Sequence, residues 1–272
     1  LRRLFPPERT AAFFRSPQVR SAAFVSFIAA LSAWLLYDTV FHSAPAPGYR
    51  RTWTDMAVLD SDRGSGAAPS LPNLSGGAEL LPVSVGARWM SDGTTPDGEA
   101  LTLETTVASA EPVPGGVEAV FASRFLMKLR TPQRLTERYR IDAAGITGVA
   151  TGENGDVRLD PPLPLVRFPV RQGALQNWSG RLIPPQGAPI PATAVCRVDG
   201  PDTVRTQAGD YPAYRLDMQV RVGEHPESQP ARVSTIYLAP GVGFVRQEIG
   251  QMPGVTSLTL RRFMPPAVGG PP

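Results

Sequence analysis

Cysteine, histidine and lysine are nearly missing from this chain of 272 residues: Cys196 is the one cysteine, His42 and His225 are the two histidines, and Lys128 is the one lysine among 27 basic residues. A single cysteine excludes an intrachain disulfide. Cys196 lies in the strand-like run Thr193–Val198, where a small buried apolar side chain is expected, because a reactive thiol needs a basic partner. His225 sits in the polar turn Gly223-Glu224-His225-Pro226-Glu227. With neither a second imidazole nor a thiol beside it, that turn reads as solvated loop and not as a metal centre. His42 follows a long apolar run and is expected to be an interfacial residue, not an axial ligand to a haem or pigment.

Catalytic signatures are absent as well. Gly64-Ser65-Gly66 is the nearest approach to a nucleophile motif, and it falls in a Pro/Gly-rich stretch. Asp199 and Asp202 flank Gly200-Pro201 and read as turn formers, not as an acid/base pair. The run Thr151-Gly152-Glu153-Asn154-Gly155-Asp156 lacks the spaced acidic ligands of a calcium loop, and no phosphate-cradling glycine loop occurs. The expectation is therefore a protein that is not an enzyme and holds no metal or cofactor. The chain also has little net charge outside its first residues. Arg2, Arg3, Arg9, Arg15 and Arg20 against Glu8 give residues 1–20 a net of +4, while the whole chain carries +3, so the remainder is −1. No basic stripe is left to neutralise phosphates, and nucleic acid is not an expected partner.

What is present begins with an anchor. From Ser21 to Tyr37 the chain carries no charge, and taken to His42 it would span about 33 Å as a helix, enough to cross a bilayer. Trp34, Tyr37 and Phe41 collect at its far end, as amphipathic rings do at an interface, while Arg15 and Arg20 precede it. The positive-inside rule then puts residues 1–20 in the cytoplasm, makes 21–42 a transmembrane helix in the plasma (inner) membrane, and sends the rest to the periplasm. Ala44-Pro45-Ala46 has the form of a signal-peptide cleavage site, but Pro47 disfavours cleavage and the apolar run is long for a signal. Residues 43–80 are rich in proline and glycine and read as linker, and 265–272 read as a tail.

Between them, over residues 81–264, the period is two and no long helical stripe occurs. Tyr214, Leu216, Met218, Val220 and Val222 alternate with Arg215, Asp217, Gln219 and Arg221. Similar runs at 100–107, 117–125, 134–141, 192–198, 232–238, 244–249 and 255–263 are separated by Pro114-Gly115-Gly116, Ala144-Gly145, Asn154-Gly155, Asp199-Gly200 and Pro240-Gly241. The expected fold is mainly β: an antiparallel curved sheet, a sandwich or a partly open barrel. A weak repeat runs through it. Leu81-Pro82-Val83 with Gly86 and Trp89 echoes Phe168-Pro169-Val170 with Gly173 and Trp178, although the step from glycine to tryptophan differs. Both indoles are expected to plug a core behind a tight glycine turn.

Gly209-Asp210-Tyr211-Pro212-Ala213-Tyr214-Arg215-Leu216, followed by Tyr237-Leu238-Ala239-Pro240-Gly241-Val242-Gly243-Phe244-Val245-Arg246, resembles the C-terminal half of a broad class of bacterial cell-envelope β-domain proteins. Many of these are lipoproteins of unknown function, distantly similar to the lipoprotein-carrier curved sheets. The resemblance covers roughly residues 160–260 and rests on turn and core residues, Tyr214, Tyr237, Gly241 and Gly243 among them, so it implies fold and compartment but not activity. A transmembrane anchor in place of a lipidated cysteine departs from the usual member. Two functions fit this outline. One is a non-catalytic accessory subunit of a larger membrane complex, with the bilayer and other integral membrane subunits as partners, as in a photosynthetic reaction-centre–light-harvesting assembly. The alternative is a free-standing envelope protein that binds a lipid or other apolar ligand in its curved sheet.

Overall fold

Side chains two residues apart share one face of a strand, and here that face turns inward on every strand of the fold. The computed structural model describes residues 76–128, 131–251 and 254–266. A one-turn helix α1 (Gly77–Leu80) precedes twelve strands: β1 (Arg88–Thr94), β2 (Ala100–Val113), β3 (Gly116–Met127), β4 (Gln133–Asp142), β5 (Gly145–Thr151), β6 (Val157–Arg167), β7 (Leu175–Ile183), β8 (Ile190–Thr206), β9 (Gly209–Val222), β10 (Arg232–Ala239), β11 (Gly243–Gln251) and β12 (Gly254–Met264). Each pairs antiparallel with the next, and β1 pairs with β12 from Arg88↔Met264 to Thr94↔Ser257. The sheet is therefore a closed up-and-down barrel. This corrects the expectation of a curved sheet, sandwich or partly open barrel. Pairing the first strand with the last satisfies two rows of backbone groups that an open sheet would leave as edges.

The chain arrives at one end of the barrel, the near end, where the β2–β3, β4–β5, β8–β9 and β10–β11 turns also lie. There Gly241 N donates to Glu79 O at 2.7 Å, and Leu80 and Leu81 are buried. The repeat seen in sequence is a repeat of architecture. Ala87 N donates to Ser84 O and Ala174 N to Arg171 O, closing two turns whose third residues, Gly86 (φ 88°) and Gly173 (φ 73°), hold the positive φ of a type II turn. The two glycine N–H groups then donate to Val107 O and Val198 O, both at 2.9 Å. One such turn leads into β1 and the other into β7, dividing the barrel into halves of six strands each. The glycine-to-tryptophan steps are both odd, so both indoles fall on the inward face, with Trp178 one pleat deeper along its strand than Trp89.

Two further sequence expectations change. Asp199-Gly200 is not a turn: β8 runs on to Thr206, with a bulge between Asp199 and Asp202 in its pairing with β9. Strands β1, β5, β6 and β7 were not legible, because β6 carries Pro161, Pro162 and Pro164, and β5 carries Gly145 and Gly148, residues that usually interrupt a strand. The span at 21–42, with Trp34, Tyr37, Phe41, Arg15 and Arg20, lies outside the described residues. Among the described residues no helix is long and apolar enough to cross a membrane.

The interior is filled. Cys196, Met218, Leu258 and Leu260 have no exposed surface at all, which a water-filled lumen would not allow. The packing falls into two clusters. The larger contains Trp89, Phe121, Tyr139, Trp178 and Phe244. The smaller, at the far end, consists of Leu101, Leu103, Phe125, Leu135, Ile249 and Leu258, with Met127 packed against it.

Candidate functional site

Polar side chains stand on the inward face where the alternation would put apolar ones. On β4 the inward residues are Leu135, Glu137, Tyr139 and Ile141, all buried. Glu137 pairs across the sheet with Phe121, whose ring lies 5.4 Å from that of Tyr139 and 6.0 Å from that of Phe244. Burial in this apolar setting pushes the Glu137 carboxyl up from 4.5 to about 8, against a smaller opposing pull from its hydrogen bond with Tyr139. Burial, and then the neighbouring carboxyl, push the Tyr139 phenol well above its usual range. Glu137 is thus a neutral acid at neutral pH. Beside it on β2 and β3, Thr105 and Ser123 satisfy each other through a 2.9 Å hydrogen bond.

The opposite wall is different. Arg232 pairs with the core residue Val220 and so faces the interior near the far end, where burial lowers its pKa from 12.5 to about 10 and leaves it cationic at neutral pH. Its Nη1 is enclosed and makes no hydrogen bond. Ser234, two residues on, pairs with Ile249, and Ile249 pairs with Thr256. Thr256 is 1% exposed and its Oγ1 makes no hydrogen bond; Gln247, two residues before Ile249, is 4% exposed and its Oε1 makes none. Three strands therefore present Arg232, Thr256 and Gln247 in order from the far end inward. Their apolar surroundings are Ile249 and Leu258 of the smaller cluster. Leaving enclosed polar atoms without partners typically costs ~1–3 kcal/mol each, so stability alone does not explain this stretch of wall; Thr151 Oγ1 on β5 and Gln176 Oε1 on β7 also make no hydrogen bond, but they stand apart from these three.

Of the residues singled out in sequence, Trp89 is buried against Phe121, Phe244 and Phe263 and donates to Val242 O at 2.6 Å. Trp178 is buried and donates to Pro161 O at 2.9 Å. Gly241 and Gly243 shape the β10–β11 turn at φ 73° and 84°. Tyr214 is half-buried at the near end of β9, opposite Leu238. Tyr237 faces outward by register, with the Arg246 guanidinium 5.7 Å from its ring centre, yet it is part-buried and packs against the larger core cluster. The outward set on β9 is more buried than alternation implies. Asp217 Oδ2 takes ion-pair contacts from Arg197 (3.2 Å) and Arg215 (3.1 Å), and Thr235 donates to Asp217 Oδ1 at 2.8 Å. Asp199 Oδ2 joins both arginines at 2.8 and 3.3 Å. Cys196 is fully buried, and burial pushes its thiol up to about 12.

A shallow cavity of about 140 Å³ opens at the far end among Glu153, Asn154, Asp156, Val157, Pro184, Pro185 and Gln186. Among the described residues no three His, Cys, Asp or Glu side chains stand close enough to hold a metal ion.

Glu137 was within reach of sequence reasoning, since it falls in register with Leu135, Tyr139 and Ile141. Arg232, Gln247 and Thr256 were not, because their strands mix polar and apolar residues on both faces.

No protein-family model matches the chain, and no curated protein matches it. Among solved structures it is similar to a protein of Parabacteroides distasonis described as a lipoprotein, at 12% identity and a TM-score of 0.46, over 68% of this chain and 98% of that one. It is also similar to an exported protein of Bacteroides fragilis with a YmcC-like fold, at 16% identity and a TM-score of 0.41, over 68% of this chain and 99% of that one.

Proposed function

We propose that this chain is a non-catalytic protein of the bacterial envelope, tethered by residues 21–42 with its barrel in the periplasm, that takes up a lipid or other apolar molecule in the barrel. The observation that carries this reading is the wall of Arg232, Thr256 and Gln247, polar groups enclosed without hydrogen-bond partners beside an apolar cluster. A barrel selected for stability alone would place aliphatic side chains there, and sites that break the local rules are where function is expected. Because the interior is filled, uptake has to part the smaller cluster at the far end, which contains only six buried side chains among the described residues.

The test is to purify the full chain from membranes in mild detergent, extract it with organic solvent and analyse the extract by mass spectrometry. A lipid recovered near one per chain is expected. Recovery of no lipid, with integral membrane proteins copurifying through residues 1–80, would favour the accessory-subunit reading instead.

A further inference from the structure

Resting on that reading, we infer that the ligand is a single-chain acidic lipid, its phosphate or carboxylate held by Arg232 at the far end and its next polar group received by Thr256 and Gln247. Arg232 supplies a cationic donor, Thr256 a hydroxyl that donates or accepts, and Gln247 an acceptor, so the partners these atoms lack are an anion followed by a hydroxyl-bearing group. Arg232 and Thr256 stand on strands separated by β11, roughly 10 Å apart across the sheet besides one inward step along it, and Gln247 lies a further step inward on β11, so the head group has to reach across β11 to meet all three. The tail then lies against Ile249, Leu258, Leu101 and Leu135, which belong to one cluster. A guanidinium suits this head group because its planar fork can donate two parallel bonds to one phosphate or carboxylate. Among the described residues no salt bridge engages Arg232, so the cation is not spent on a carboxylate of the barrel. Glu137, the acid on the opposite wall, is held neutral by burial and does not compete with the ligand's charge. A two-chain lipid would need twice the apolar surface. Beside this wall at the far end, the smaller cluster offers aliphatic side chains with one aromatic ring among its buried residues, Phe125.

The experiment uses the full chain in phosphatidylcholine nanodiscs and measures retention of labelled probes above that of empty nanodiscs. Oleoyl lysophosphatidic acid is the head group with its tail, monooleoylglycerol the tail without the acid, and glycerol 3-phosphate and inorganic phosphate the acid without a tail. Lysophosphatidic acid is expected to bind at least tenfold more tightly than the other three. Arg232→Met should remove that preference and leave monooleoylglycerol unchanged, while Arg232→Lys, which keeps the charge, should retain most of it. Gln247→Leu should weaken lysophosphatidic acid severalfold, and unchanged circular dichroism would separate this from unfolding. Equal binding of lysophosphatidic acid and monooleoylglycerol, untouched by Arg232→Met, would overturn the head-group assignment while leaving lipid uptake standing. Tight binding of free phosphate would reduce the site to an anion site and overturn the lipid assignment. Retention of no amphiphile at all would overturn the uptake reading beneath it.

Discussion

The Trp89 indole N–H donates to the Val242 carbonyl at 2.6 Å, joining residues 153 apart in sequence. The bond ties the start of β1 to the β10–β11 turn, beside the seam where β1 closes on β12. Trp89 also touches Phe121, Phe244 and Phe263, so one side chain bridges both halves of the barrel. Trp89→Ala should cost roughly 3–5 kcal/mol by cavity formation. Trp89→Phe should cost roughly 1–3 kcal/mol, chiefly from leaving a carbonyl unpaired. Urea unfolding of both variants checks this, and equal small losses would mean that the seam does not depend on the indole.

The Glu137 carboxyl makes stability depend on pH. The unfolded group titrates near 4.5 and the folded one at about 8. Between those values the folded chain holds a proton that the unfolded chain has released, so this group's contribution falls as pH rises through the window and levels off above it. The slope should approach roughly 1.4 kcal/mol per pH unit. Glu137→Gln should flatten the profile and raise stability at pH 8 more than at pH 5, as read from urea midpoints. A parallel shift at both pH values would show that the carboxyl is not the titrating group.

On the outer wall, Asp217 is shared by Arg197, Arg215 and Thr235. Asp217→Ala removes the carboxylate on which all three converge and should destabilise the barrel by roughly 3–5 kcal/mol, the range for breaking a buried ion pair. Asp217→Asn keeps an acceptor for Thr235 and should cost less. The comparison separates charge from shape, and a loss under about 1 kcal/mol for Asp217→Ala would place the cluster with ordinary surface pairs.

Gly180 leaves room for the Trp178 ring. A β-carbon there would lie 2.5 Å from Trp178 Cζ2 and 2.7 Å from Asp160 O. Gly180→Ala should therefore displace the indole, lose its bond to Pro161 O and cost roughly 1–3 kcal/mol by overpacking. A changed tryptophan near-ultraviolet circular dichroism signal, together with a lower urea midpoint, is the expected readout. An unchanged spectrum would mean that the ring yields without cost.

Much of this molecule is written in its alternation of residues. Period two made it mainly β, put Leu216, Met218 and Val220 on one face and placed Cys196 among buried apolar groups, while the repeated Pro-Val-x-x-Gly marked the lead-in turns at Gly86 and Gly173. It also carried Glu137 onto an apolar face, a sign legible in the residue pattern of its own strand. Alternation says which side chains share a face, but not which strands lie side by side or whether the sheet meets itself. That is why closure of β1 on β12, the outward turn of Tyr237, and the continuation of β8 through Asp199-Gly200 were decided only by tertiary pairing. The same holds for Arg232, Thr256 and Gln247: each is an ordinary polar residue in its own strand, and only the register across β10, β11 and β12 sets them together on one enclosed wall.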